Sequence, residues 1–259
     1  SVQVSMIKAM TIKTILLPLL FATIVLGLSS STQNSEERIN FQDYCWPILG
    51  DTDTTLIYQY QMSSVEYDTA WNRYFEIEAH NEGENRLFNY TVYNKDFEHE
   101  SHYKYILDHK GIRLLAMEIN NKDDKLMPGT IEHQRMFEWD LDKGDQHTSV
   151  MTFFNLQGDS SNLSISSSTQ YEGADRKIVF KSEKTPTIRF FRKVVRQGSD
   201  YTNTSQGVSY YAKGIGYYKS HIVFNETMEF DEILTDILTV AQWNQLKDNK
   251  LKTELPKTN

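Results

Sequence analysis

Short runs of alternating apolar and polar residues recur along most of this chain and constrain its fold more than any other feature. In Ala70–His80 (AWNRYFEIEAH), Trp71 and Phe75 occupy positions of one parity. Glu76 and Glu78 occupy the other parity. Because side chains alternate between the two faces of a strand, this period of two predicts a half-buried β-strand. Similar runs, separated by polar clusters, follow every 10 to 15 residues or so, which is typical of a mainly β, antiparallel protein.

The serine-rich segment Gln157–Gly173 departs from this pattern. It could be a linker between two domains. However, Leu163, Ile165 and Tyr171 lie at even spacings within it. We therefore favour a strand with a polar face and one continuous sheet system.

Near the C-terminus, in Glu229–Lys250, apolar residues recur at spacings of three and four, which is typical of an amphipathic helix. The residues with this spacing are Phe230, Ile233, Leu234, Ile237, Leu238 and Ala241. The sequence predicts one helix here, which would either cap an open barrel or cross one face of the sheet.

The N-terminal residues have the pattern of an export signal. Lys8 and Lys13 precede an apolar run of about 14 residues, Ile15–Leu28, which three serines follow. Because a transmembrane helix needs about 20 apolar residues, we expect residues 1–31 to be cleaved, leaving no transmembrane anchor; an uncleaved N-terminal anchor is the alternative. Residues 1–5 precede the first methionine and are expected to be non-native. The expected product is a secreted or periplasmic protein with one β-rich domain over residues 32–250 and a flexible tail over residues 251–259.

The net charge limits the partners that we expect, and the cysteine content limits the sources of stability. The formal net charge is −8, so nucleic acids and anionic membrane surfaces would repel the chain, and we expect no nucleic acid as a partner. Its one cysteine, Cys45, cannot form an intramolecular disulfide, so stability must come from an apolar core. We expect Cys45, beside Trp46, to be a small buried residue.

Motifs for catalysis and metal binding are weak. The sequence has no G-x-S-x-G elbow, P-loop or full dinucleotide fingerprint. Glu76 and Glu78 would lie about 6 to 7 Å apart on one strand face, as a glycosidase pair could, although a solvent-facing acidic stripe is favoured. His99 and His102 would point to opposite faces of a regular strand, so a shared metal would require a bulge or loop. We therefore expect no metal and no cofactor.

Aromatic residues are the most informative candidates for binding. Tyrosine (15 residues) and phenylalanine (13 residues) are abundant and recur at alternating positions of the predicted strands. In a curved sheet they would line either a packed core or a pocket for a lipid or other small apolar ligand. The residues that we expect to line it are Trp71, Phe75, Tyr90, Tyr105, Phe190, Tyr211 and Tyr217. This set depends on the strand register, because a slip of one residue exchanges the two faces.

The stretch YYAKGIGYYKSH contains a Gly-x-Gly, at Gly214 and Gly216. A phosphate-binding loop would open a helix, whereas strand-like residues follow here. We expect these glycines to mark a bulge, a bend or a close backbone approach within a strand.

The motif Tyr210–Lys219, with the predicted signal and the aromatic strands, resembles uncharacterised secreted β-proteins of Gram-negative bacteria. Those proteins are similar in layout to the half-barrel periplasmic lipoprotein carriers and to lipocalin-like domains. The resemblance implies a strongly curved antiparallel sheet, half-barrel or barrel-like, with a hydrophobic cavity. It supplies no catalytic residues.

The sequence therefore favours an exported, non-enzymatic protein that binds an apolar ligand or a cell-envelope component. One alternative is a surface structural or adhesion protein that contacts a partner through sheet edges or acidic faces. Another is a hydrolase of envelope polymer that uses Glu76 and Glu78.

Overall fold

The computed structural model describes residues 38–64, 66, 69–121, 125–133, 135–154 and 162–254. The predicted export signal and the end of the predicted tail lie outside the described residues, which all belong to one compact unit. The elements are β1 Ile39–Asn40, β2 Thr54–Ser64, β3 Thr69–Glu82, β4 Asn85–Tyr93, β5 His99–Asp108, β6 Gly111–Asn120, β7 Leu126–His133, β8 Arg135–Glu138, β9 Asp140–Leu141, β10 Gln146–Phe154, β11 Asn162–Phe180, β12 Glu183–Gln197, β13 Thr202–Ala212, β14 Gly216–Phe224, β15 Met228–Leu238 and α1 Val240–Glu254.

The long strands close into a ring. Among the described residues, twelve strands follow the order β5-β4-β3-β2-β15-β14-β13-β12-β11-β10-β7-β6, and β6 also pairs with β5. Strand β8 continues the position of β7, because the two strands pair with opposite ends of β6. All of these pairings are antiparallel. The prediction of a mainly β, antiparallel and strongly curved sheet is confirmed, and the curvature is complete enough to form a closed barrel.

The predicted strand faces are correct where the pairing is regular. Strands β2 and β3 pair over 11 consecutive residues without a bulge, and Phe75 and Ile77 lie in the buried interior. The serine-rich segment is a strand from Asn162 onward, with Ile165 and Tyr171 in the same interior. The polar-faced strand that we favoured over a linker is therefore present.

The predicted C-terminal helix begins later than the sequence spacing indicates. Strand β15 contains five of the six apolar residues on which the prediction rested: Phe230, Ile233, Leu234, Ile237 and Leu238. The helix α1 begins only at Val240. A bulge between Leu234 and Asp236 explains the error. The extra residue puts Leu234 and Ile237 on the interior face although they are three residues apart, which is also a helical spacing.

Helix α1 packs on the outer face of the barrel, which is the second of the two predicted arrangements. Trp243 of α1 is 1% exposed. Its ring lies 5.0 Å from Tyr74, 5.3 Å from Tyr93 and 5.2 Å from Phe97, measured between centroids. Tyr74 points outward because it alternates with the interior residue Phe75. No helix in the described part of the chain has the length and apolar character needed to cross a membrane.

The segment Arg38–Asp53, which we call the plug, fills one end of the barrel interior. Phe41 and Cys45 are buried in the same cluster as the inward-facing strand residues. Phe41 N–H donates to the carbonyl oxygen of Trp139 at 2.6 Å, and the Arg86 guanidinium donates to the carbonyl oxygen of Thr52 at 2.7 Å. Cys45 is buried as expected, and this burial raises the pKa of its thiol to about 12.

Gly214 and Gly216 belong to a hairpin turn, so the prediction that they lie within one strand is wrong. Ala212, the last residue of β13, pairs with Gly216, the first residue of β14. The φ angles of Gly214 (71°) and Gly216 (96°) are in the left-handed region, which favours glycine. The expected close backbone approach is present at Gly216, because a Cβ there would lie 2.6 Å from Cδ1 of Trp46.

Candidate functional site

A cavity of about 330 Å³ lies inside the barrel, next to the plug. Six of the seven residues predicted to contact a ligand line it: Phe75, Tyr90, Tyr105, Phe190, Tyr211 and Tyr217. The volume is at the lower end of the range of about 300–1,000 Å³ that is typical of small-molecule sites. The barrel interior is therefore packed in one part and hollow in another, so it contains both a core and a cavity.

One wall of the cavity, which we call the aromatic wall, is formed by Phe75, Tyr90, Tyr103 and Tyr105 on β3, β4 and β5. The Tyr90 ring lies 5.1 Å from Phe75 and 5.6 Å from Tyr103. Burial raises the pKa of Tyr90 and of Tyr105 well above the usual value. Their hydroxyl groups therefore stay protonated and uncharged, which keeps this wall free of negative charge.

The plug and its neighbours form the floor of the cavity. Trp46 of the plug lines it, together with Phe137, Phe190 and Tyr211. The Phe190 ring lies 5.2 Å from Phe137 and 5.3 Å from Tyr211. These contacts hold the floor in a fixed position relative to the strands.

Trp71 is the one predicted residue that does not line the cavity. It shares the inward parity of Phe75 on β3, but it is positioned toward the end of the barrel away from the plug, where its ring lies 6.4 Å from Phe230. Trp71 therefore has the predicted inward parity but is not among the residues that line the cavity.

A charged network lies at the edge of the cavity, with one buried carboxylate, Glu232, and two partly exposed side chains, Arg73 and Glu100. Arg73 Nη2 is 2.6 Å from Glu100 Oε2, and Arg73 Nη1 is 3.5 Å from Glu232 Oε1. Tyr217 donates its hydroxyl hydrogen to Glu232 Oε2 at 2.6 Å. Burial raises the pKa of Glu232 more than the attraction of Arg73 lowers it. The positive charge of Arg73 is thus balanced inside the barrel.

The wall across from β4, which we call the polar wall, carries hydroxyl groups and two guanidinium groups. Strand β12 is six positions from β4 in the twelve-position ring, and its residues Arg192 and Arg196 line the cavity. Arg192 Nε lies 3.3 Å from Ser167 Oγ, and Arg196 Nη1 lies 3.3 Å from Ser205 Oγ. Ser149, Thr169 and Ser209 add further hydroxyl groups.

Sequence reasoning missed the polar wall. The signal that could have found it is parity. Arg192 and Arg196 lie at even positions of the strand, as the interior residues Phe190 and Val194 do, and therefore share their face. Charged residues at the positions of a core face are unusual. The predicted binding face contains only aromatic residues.

The carboxylate pair proposed for hydrolysis lies outside the barrel. Glu76 and Glu78 pair with outward-facing residues of β4, and neither lines the cavity. Glu76 Oε2 accepts a hydrogen bond from the hydroxyl of Tyr93 at 2.7 Å. This contact belongs to the outer surface beside α1.

The two histidines of β5 also face outward, so the expectation of opposite faces is wrong. A bulge in the pairing of β4 with β5 shifts His99 by one position and brings its ring 4.7 Å from Tyr93. His102 Nδ1 lies 2.9 Å from Thr91 Oγ1. Within the described ranges, no group of three or more His, Cys, Asp and Glu residues is arranged to hold a metal ion.

Comparison with known proteins shows a similarity of fold. No family model matches the sequence, and no curated protein matches it significantly. A Bacteroides fragilis NCTC 9343 protein, inferred to be exported and described as having a YmcC-like fold, matches with a TM-score of 0.50 and 9% identity over 76% of this chain and 100% of that chain. A Parabacteroides distasonis ATCC 8503 protein inferred to be a lipoprotein matches with a TM-score of 0.48 and 8% identity over 75% of this chain and 99% of that chain. The barrel is therefore similar to the YmcC-like fold of the Bacteroides fragilis protein.

Proposed function

We propose that this chain is an exported, non-enzymatic protein that binds a small apolar ligand, such as a lipid or another cell-envelope component, in the cavity of its barrel. The observation that carries the proposal is the cavity of about 330 Å³ beside the aromatic wall. Protein interiors are close-packed and retain few spaces larger than a water molecule. This space is lined largely by aromatic and aliphatic side chains. Replacement of water in it by an apolar molecule therefore lowers the free energy of the system.

The proposed binding can be tested with N-phenyl-1-naphthylamine, an uncharged fluorophore that becomes bright in apolar surroundings. We expect saturable fluorescence with the wild-type protein. Ser149 lines the cavity and is 8% exposed, so Ser149→Phe should fill part of it and weaken binding about tenfold or more, the loss of about 1.4 kcal/mol.

Thr148→Phe is the matched control, because Thr148 is the adjacent residue of β10 on the exposed outer face. It adds the same ring without reaching the cavity, so binding should stay at the wild-type level. Absence of saturable binding by the wild-type protein, or equal loss in both variants, would contradict a ligand site in the cavity.

Export has two supports. The run Ile15–Leu28 follows Lys8 and Lys13 as in a secretory signal, and the Bacteroides fragilis protein of similar fold is inferred to be exported. Expression of the full chain in a bacterial host, followed by N-terminal sequencing of the extracytoplasmic fraction, is the test. We expect the mature chain to begin near Thr32; a chain confined to the cytosol with Ile15–Leu28 intact would contradict export.

An adhesive role through sheet edges has less support. Unpaired edges are what a second chain would need for strand addition, and ring closure pairs both sides of each of the twelve barrel strands in the described part of the chain.

A further inference from the structure

We propose that the ligand is a small amphiphilic anion, with its acidic group bound by Arg192 and Arg196 and its apolar body against the aromatic wall. The inference rests on the proposed function, because it names the chemical class that the same cavity takes. The acidic group is a carboxylate, sulfate or phosphate.

Among the described arginines that line the cavity, Arg73 has an ion-pair partner, whereas Arg192 and Arg196 do not. Arg73 has Glu100 and Glu232 as partners. Among the described residues, by contrast, no carboxylate oxygen lies within the 4.0 Å ion-pair distance of Arg192 or Arg196. Two guanidinium groups that line one cavity without a carboxylate partner can bind an acidic group through charge-assisted hydrogen bonds, so an anion from outside the chain would complete this arrangement.

Both guanidinium groups keep hydrogen-bonding capacity for that anion. A guanidinium has five N–H donors, and the hydrogen bonds to Ser167 and Ser205 are long, at 3.3 Å each. Arg192 lines the cavity and is exposed, so its guanidinium is accessible to a bound molecule. The planar fork of arginine matches the two oxygens of a carboxylate and those of phosphate or sulfate.

The electrostatics of the site agree with the geometry. Burial, and then the positive charge of Arg192, lower the pKa of Arg196. An acidic group between the two would remove this repulsion. The surrounding protein has a formal net charge of −8, so a positively charged pocket in this chain is a local feature of β12 and not a consequence of overall composition.

The rest of the cavity suits the apolar part of such a molecule. The rings of Phe75, Tyr90 and Tyr105 lie on strands across the ring from β12. The volume of about 330 Å³ favours a short chain or a single ring system over a long-chain diacyl lipid. The acidic end of the ligand thus contacts Arg192 and Arg196, and its apolar end contacts the aromatic wall.

Isothermal titration calorimetry with decanoate, decyl sulfate, decyl phosphate and uncharged decanol tests this directly. Hydrogen bonds to a charged group are stronger than those between neutral groups, so we expect at least one of the anions to bind the wild-type protein tenfold or more tightly than decanol. The anion with the highest affinity identifies the acidic group. Added salt should weaken binding of the anion and leave that of decanol unchanged.

The variant Arg192→Gln/Arg196→Gln should reduce anion affinity to that of decanol and leave decanol affinity within about twofold of the wild-type value. Lys193→Gln is the matched control, since Lys193 is an exposed residue of the same strand that faces outward; it should change neither affinity. Arg192→Lys/Arg196→Lys keeps the charge and should retain part of the preference for the anion over decanol that the glutamine variant loses. This result would show that the glutamine variant loses recognition of the anion and not its fold.

Equal binding of decanol and all three anions by the wild-type protein would overturn this inference while leaving the apolar cavity site intact. An equal loss of anion and decanol affinity in the glutamine variant would also overturn it. If none of the four compounds and no N-phenyl-1-naphthylamine bound, the proposed function itself would fail.

Discussion

Replacing Phe41 tests whether the plug is part of the cooperative barrel structure. Phe41 is 1% exposed. Its ring stacks on Phe137 at a centroid distance of 4.7 Å and meets Tyr211 at 5.4 Å and Phe190 at 5.8 Å edge-on. Phe41→Ala removes this ring from the centre of the floor, where the three partners belong to three different strands.

The expected cost follows from these contacts. Truncation of a fully buried phenylalanine to alanine costs about 3–5 kcal/mol of the free energy of unfolding. Each aromatic pair contributes about 0.5–1.5 kcal/mol beyond the area that it buries. Because Phe41 makes three such pairs, we expect a loss at the upper end of the range, about 4–5 kcal/mol.

Urea unfolding followed by tryptophan fluorescence measures this loss, with Leu49→Ala as the control. Leu49 belongs to the same plug but is 39% exposed, so its truncation should change the free energy of unfolding by only about 0.5 kcal/mol. A loss below about 2 kcal/mol for Phe41→Ala, well under the range for buried rings, would refute the reasoning, because it would mean that the plug detaches without disturbing the barrel.

Three further predictions concern single residues. Gly216→Val should lower the melting temperature much more than Gly214→Val, because both positions have positive φ but only the first would bring a Cβ against Trp46; equal losses would contradict this. Burial raises the pKa of Glu232 above 4.5, so the folded protein loses stability as the pH rises above that value, and Glu232→Gln should remove this part of the pH dependence of urea unfolding. An unchanged pH dependence of urea unfolding in Glu232→Gln would contradict the raised pKa of Glu232. Because burial raises the pKa of Cys45 to about 12, iodoacetamide should label it only in unfolded protein, as mass spectrometry would show; rapid labelling of folded protein would contradict this burial.

The sequence predicts strand faces well until a bulge intervenes. The alternation in β3 is reliable because its pairing with β2 is unbroken. In β15 the bulge after Leu234 produces a helical spacing within a strand, and in β5 a bulge turns His99 to the outer face. A bulge adds one residue to one strand only, so it depends on the partner strand and is not visible in local periodicity.

Most of the aromatic residues that line the cavity could be predicted from the sequence, but the polar residues that line it could not. Tyr90, Phe190 and Tyr217 follow from aromatic alternation, whereas the inward position of Arg192 and Arg196 does not, because charged residues are usually expected on the outer face of a strand. The plug could not be predicted either. Its contacts, such as the hydrogen bond from Gly214 N–H to the carbonyl oxygen of Asp43, join residues that are distant in sequence.

The pairing of β2 with β15 sets the order in which the barrel can be completed. Thr235 Oγ1 donates to the carbonyl oxygen of Gln59, a residue 176 positions earlier in the chain. During synthesis one side of β2 therefore stays unpaired until β15, near the end of the chain, has been made. A chain that stops before β15 keeps two open sheet edges and an aromatic interior in contact with water, and both promote aggregation. The last strand is thus the one that pairs both remaining sheet edges and closes the ring.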